Sequence, residues 1–267
     1  MRQLLVLAIV TILFLALLFP RKIPRVLRRF GRSVGDAGRA GSELLSGEEA
    51  AHSPLARYEV QAGQVVEAKV LSENPLSSDA ELQAIVREVG VRLAENAHRR
   101  EIPYRFAVLE SSEPNALAVA GGAVFVTRPL LTLCDLQPDA IACVLGHEVI
   151  HIDQRHAIRQ LAVSATIPRA INLLSLGRGA ILSRVVGGMQ QLLVQGYRQD
   201  QEFEADLFGA RLAKLAGYDP RALAWLLERL SAARPDGSGP IAEALQYFRS
   251  HPPAAARIAR LRKAFAG

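Results

Sequence analysis

Apolar positions fall into three kinds of pattern along this 267-residue chain, and each predicts a different element. The first is an unbroken run, Leu4–Phe19, that carries no charge and ends at Pro20. Its sixteen residues are short of the ~20 that cross a bilayer as a helix, but Met1–Gln3 and snorkelling arginines can extend it. A cleaved leader should follow its apolar core with small residues, whereas Leu18-Phe19-Pro20 lead into Arg21-Lys22. Residues 1–20 are therefore expected to be an uncleaved, single-pass membrane anchor.

The period then changes. A stretch rich in Gly, Ser, Ala and charge, 31–56 with Pro54, reads as a linker. Val60, Val65, Val66 and Val70 suggest a first helix, broken by Asn74-Pro75. Ser78 or Asp79 caps a longer one carrying Leu82, Ile85, Val86, Val89 and Leu93. Tyr104–Leu109 alternates and is β-prone. Two short runs, Ala116–Ala120 and Ala123–Thr127, are joined by Gly121-Gly122 and read as a hairpin. From Pro138 onward the pattern is helical. The apolar segment 157–196 is interrupted by Arg159, Pro168, Arg169, Arg178 and Arg184, so no second membrane span is expected.

Composition narrows this picture. Half the residues are apolar, ample for a core, and the length leaves room for one substantial domain. That domain is expected at 55–267, behind the anchor and a basic juxtamembrane segment and linker at 21–54. Cys134 and Cys143 fit neither a CxxC site nor a disulfide framework and read as buried free thiols. The net charge of +6 is local: residues 1–40 hold eight Lys and Arg against Asp36, or +7, and the rest sum to −1. The basic balance gives no reason to expect nucleic acid as a partner. Beside an apolar anchor it suits anionic lipid headgroups. The charge rule places the domain on the cytoplasmic side, although large domains are exported despite such charge, so an extracytoplasmic site stays open.

The chemistry is concentrated in Gly146-His147-Glu148-Val149-Ile150-His151. Four residues advance a helix by about 6 Å and just over one turn, so His147 and His151 share a face and can reach one Zn²⁺ through neutral ring nitrogens. Glu148, roughly 100° around the axis, lies beside that metal, placed to take a proton from a water. This is the HExxH arrangement of zinc peptidases. The bland alternative is an amphipathic helix with two surface histidines. Ala140, Ile141, Val144, Leu145, Val149, Ile150 and Ile152 argue against it, because so apolar a helix is buried and its polar groups need partners. His156 follows His151 by five positions, about 140° off the ligand face, and is read as a structural hydrogen bonder.

A catalytic zinc takes three protein ligands and keeps a position for water. Glu202 and Asp206 lie four apart on one helical face, with Glu204 pointing the other way. Glu202 as ligand, with Asp206 accepting a ligand histidine's N–H, would complete the site. On spacing alone a solvated acidic turn explains these residues as well.

Four ordered matches carry a resemblance. They are Pro114-Asn115-Ala116 with Gly121-Gly122; His147–His151 with Arg155-His156; Glu202–Asp206 followed by Gly209; and His251-Pro252 with Arg257-Ile258. With them the chain resembles the M48 zinc metallopeptidases over about residues 58–265. Lacking further spanning helices, it is more similar to the BepA-type and Oma1-like members than to HtpX or Ste24. Departures are modest: Leu117 and Ala120 replace an aromatic and a proline common in the family, and Arg198 stands one position early. The resemblance implies an α+β, mainly helical, zincin-like fold with a small sheet or hairpin packed beside the HExxH helix. It implies one Zn²⁺ per chain on His147, His151 and Glu202, with Glu148 as general base in the hydrolysis of polypeptide substrates. It also puts His251 on a loop near the metal, as an oxyanion donor or a resting-state plug. A helix-capping histidine before a proline turn is the plain alternative.

The expected activity is membrane-anchored endopeptidase action in protein quality control. The strand Ala123, Val124, Phe125, Val126 and Thr127 is expected to offer an edge onto which an extended peptide adds. The rival reading is a chaperone-like module that keeps the fold and metal with little cleavage; a closed structural site would need a fourth ligand, for which Cys143 is a poor candidate. Substrate, cleavage preference and oligomeric state are not encoded legibly.

Overall fold

The structure, a computed structural model, describes residues 56–164, 178–231 and 254–266. The expected anchor, the basic linker and His251 lie outside them. A turn of 3-10 helix (Ala56–Tyr58) leads into α1 (Glu59–Glu73) and α2 (Ala80–Ala94). The strands are β1 (Arg105–Leu109), β2 (Ala116–Val119) and β3 (Ala123–Thr127). Helices follow: α3 (Arg128–Leu133), α4 (Pro138–Asp153), α5 (His156–Ser164), α6 (Arg178–Gln195), α7 (Gln199–Leu215), α8 (Ala222–Ser231) and α9 (Ala254–Ala264).

Local chemistry explains the boundaries. The break at Asn74-Pro75 ends α1, and Asp79 rather than Ser78 caps α2, its Oδ1 accepting from the N–H groups of Glu81 and Leu82 at 3.1 Å. Pro138 opens α4, with Asp139 in the first turn where the helix dipole favours an acid. The hairpin forms as expected, turning through Gly121 (φ +99°) and Gly122 (φ +109°), a backbone conformation that glycine adopts without cost.

The expectation for the substrate strand needs correction. The sheet order is β1-β3-β2, with β1 parallel to β3 and β2 antiparallel to it. Residues 123–127 therefore form the central strand, hydrogen-bonded on both sides, and have no edge to offer. Tyr104–Leu109 supplies the second neighbour, a non-local parallel pairing that a hairpin signal does not reveal. The edge strands are β1 and β2.

The sheet is covered on both faces. Val124, Val126, Phe106 and Val108 join a core with residues of α2, α4, α7, α8 and α9. Ala123, Phe125 and Val119 point the other way, into a second core with α1, α5 and α6. Burial on both faces accounts for β3 being buried at all five positions, an unbroken apolar run rather than an alternating one. Among the described residues no helix is long and apolar enough to cross a membrane.

Candidate active site

Two helices build the site. Helix α4 is buried along nearly its whole length, and α7 lies against it. They approach at two glycines: a Cβ on Gly146 would sit 2.7 Å from the Gly209 carbonyl oxygen, and one on Gly209 would sit 2.6 Å from the His147 nitrogen. Only at that spacing do the acids of α7 meet the histidines of α4. Arg198, Asp200 and Glu202 form the α7 entry, with both acids in the first turn.

His147, His151 and Glu202 are each at most 2 % exposed, and one ligand atom from each falls within 4.8 Å of the others. Among the described residues this is the group of three donors that can hold a metal ion. The two Nε2 atoms are 3.0 Å apart, and the Glu202 oxygens lie 3.6 Å from His147 Nε2 and 3.5 Å from His151 Nε2. Tetrahedral ligands on bonds of 2.0–2.1 Å would be separated by about 3.4 Å, so the donors fit zinc in kind and spacing.

The surroundings fix which nitrogens are presented. His147 Nδ1 lies 3.0 Å from Asp206 Oδ1. Asp206 is gripped in turn by Arg257, fully buried on α9, whose Nε and Nη2 donate to the two carboxylate oxygens at 2.7 and 2.6 Å. Burial alone would raise the Asp206 pKa, but the charge and hydrogen bonds of Arg257 hold it well below the usual carboxylate range. An ionised Asp206 keeps the His147 proton on Nδ1 and leaves Nε2 for a metal. Burial pushes the His147 pKa down, toward the neutral imidazole a ligand requires. His151 Nδ1 meets His156 Nδ1 at 2.8 Å, and the half-buried Tyr197 ring stacks on His151 at 4.0 Å.

Glu148 is 3 % exposed, and burial, then the charge of Glu202, pushes its carboxyl up to about 8 against the pull of Arg257 and the Ala118 amide. Burial likewise raises Glu202 to about 7, with His147 and Arg257 opposing. Glu148 and His151 open onto a cavity of about 30 Å³ lined also by Ala116, Leu117 and Ala118 of β2 and by Leu192, Leu193 and Tyr197. That is room for water and too little for a peptide side chain.

The structure thus brings together His147, Glu148, His151, Glu202 and Asp206, while Ala123–Thr127 lies one strand away, behind β2. Glu204 faces Arg159 and His156 instead of the donor group. Cys143 is fully buried, and its thiol approaches the carbonyl oxygen of Asp219 at 3.6 Å, which removes it as a ligand. Sequence reasoning assigned no role in the site to Arg257 or Tyr197. Arg257 stood in the fourth matched motif, but an arginine in a basic helix looks solvent-exposed until the fold closes over it.

A sequence model of peptidase family M48 matches residues 78–265. The beta-barrel assembly-enhancing protease of Escherichia coli strain K12 is 28% identical over 202 residues, covering 72% of this chain and 39% of that protein. The mitochondrial metalloendopeptidase OMA1 of Schizosaccharomyces pombe is 31% identical over 163 residues, or 60% of this chain and 46% of that protein. A protease HtpX homolog of Thermococcus kodakarensis is 32% identical over 224 residues, 68% of this chain and 73% of that protein. The chain therefore spans about two fifths of the length of the E. coli relative and more of the archaeal one. With the donor group, the α4–α7 packing and these similarities in agreement, the chain belongs to peptidase family M48.

Proposed function

We propose that the protein is a membrane-anchored, zinc-dependent endopeptidase that hydrolyses unfolded or damaged polypeptides. The observation that carries this reading is the buried donor group His147, His151 and Glu202 with the Glu148 carboxyl beside it on the next position of the same helix. One zinc per chain, held by those three side chains, would polarise a peptide carbonyl and bring the pKa of a water toward neutrality. Glu148 accepts the proton of the attacking water and returns it to the leaving amine. Asp206, backed by Arg257, holds His147 in register.

The edge of β2, not of β3, receives the substrate. Ala116, Leu117 and Ala118 line the same cavity as Glu148, so a peptide added beside β2 passes its backbone across the carboxyl. Leu192, Leu193 and Tyr197 must part from that edge to admit it. Main-chain pairing reads little side-chain identity, which suits unfolded chains. Leu4–Phe19 and the arginines after it attach the domain to membrane lipid. The relatives, an assembly-enhancing protease and a mitochondrial metalloendopeptidase, support a place in protein quality control.

The test is cleavage of a reduced, unfolded protein and of its native form by the purified full chain. Unfolded substrate should be cut faster, cleavage should stop on chelation, and added zinc should restore it. Cleavage indifferent to chelation would overturn the reading.

A further inference from the structure

We propose that His156, backed by Glu204 and Arg159, is a positioning residue that sets the tautomer and orientation of His151; the proposal rests on His151 being a metal ligand. A neutral His151 that presents Nε2 carries its proton on Nδ1 and must donate it. The atom there to accept it is His156 Nδ1, 2.8 Å away. His156 must then hold a lone pair on Nδ1 and its own proton on Nε2. A doubly protonated His156 would set N–H against N–H, and a His156 protonated on Nδ1 would push the His151 proton onto the nitrogen the metal needs.

The structure supports that direction of donation. His156 is fully buried, and its Nε2 lies 3.4 Å from Glu204 Oε2, which Arg159 Nη1 also approaches at 3.1 Å. The 3.4 Å contact is longer than an ordinary N–H···O bond, and a shift of a few tenths of an ångström completes it. Two devices bring the ring there. Helix α4 ends at Asp153, and Arg155 takes a left-handed backbone (φ +52°), which redirects the chain so that His156 returns toward His151. Gln201 of α7 then donates its side-chain N–H to the His156 carbonyl oxygen at 3.1 Å. The Tyr197 ring, parallel to His151 within 15°, covers its face. His147 and His151 are thus each held through Nδ1, one by Asp206 with Arg257 and the other by His156 with Glu204 and Arg159.

The experiment uses the zinc-loaded full chain labelled with ¹⁵N-histidine, whose six histidines can be assigned by single substitutions. Long-range ¹H–¹⁵N correlation should show His156 neutral with its proton on Nε2, and His151 with its proton on Nδ1. By chelator competition, His156→Leu should weaken zinc binding by about tenfold to a hundredfold. Glu204→Gln keeps an acceptor oxygen and should lose less than Glu204→Leu. A His156 protonated on Nδ1 or on both nitrogens overturns the proposal, and so does a His156→Leu protein that holds zinc as tightly as the parent. His151→Ala separates the two levels: unchanged zinc affinity there removes the ligand reading and the relay together, whereas a loss at His151→Ala but none at His156→Leu removes the relay alone. Should His156→Leu fail to fold, the protonation pattern of the parent decides.

Discussion

The Arg257–Asp206 pair shows how far one side chain's role depends on what closes over it. Both residues are buried, and the pair is bidentate. Removing one partner strands the other's charge in a low-dielectric interior, so Arg257→Leu should destabilise the zinc-free protein by about 3–5 kcal/mol in urea unfolding. A change too small to measure would mean that Asp206 is solvated. Helical spacing made His147, Glu148 and His151 legible, because residues four apart must share a face whatever the tertiary structure. Glu202 and Asp206 needed the resemblance to the M48 peptidases, their spacing fitting a solvated acidic turn as well. The spacing rule kept His156 out of the donor group as a structural hydrogen bonder. It does lie in hydrogen-bond contact with His151, though by a route the rule did not foresee. Its estimated 140° offset assumes an unbroken helix, and the helix stops before Arg155. Arg257 stood in a matched motif without a role, and Tyr197 carried no signal, since what each does comes from partners 51 or 46 residues away in sequence.

Among the elements, the packing of α4 on α7 is the contact that creates the site. Gly209→Ala would place a Cβ 2.6 Å from the His147 nitrogen, against helix backbone that cannot step aside. It should cost about 1–3 kcal/mol of stability and weaken zinc binding as Glu202 draws back from the histidines, read by thermal unfolding and chelator competition. The N-terminus of α2 gives a pH prediction. The Leu82 amide, then Arg128, lowers the Asp79 pKa, and Ser77, then Arg128, lowers that of Glu110. Carboxyls depressed in the folded state add stability above their unfolded values, 3.8 and 4.5, and lose it as pH falls through the folded ones. The urea midpoint should therefore drop on acidification below about pH 4, and Asp79→Asn, which still caps, should drop less. The β2 edge makes a third prediction. Substrate peptides N-methylated beside the scissile bond should lose far more kcat/KM than peptides with altered side chains, while the reverse would show side-chain pockets in control.

For the molecule as a whole, the hydrophobic pattern gave the helices, the hairpin and the break at Asn74-Pro75. It could not give the sheet order, because parallel pairing of β1 with β3 joins segments across the hairpin and leaves no turn signature. That one pairing takes residues 123–127 off the sheet edge and leaves β2 as the edge proposed for substrate. Helices cover the sheet on both faces, and the donors His147, His151 and Glu202 come from α4 and α7, with Glu148 and His151 facing the β2 residues Ala116, Leu117 and Ala118. This arrangement places Glu148 where a bound peptide and a water can meet. Zinc content and cleavage of an unfolded protein, measured on the same preparations of the full chain and of Glu148→Gln, decide whether it is used that way. Both forms should hold about one zinc per chain, and cleavage should fall by about a hundredfold or more in the variant. Equal cleavage by the two forms, or a chain that binds no zinc even when it is supplied, would contradict a zinc peptidase centred on Glu148.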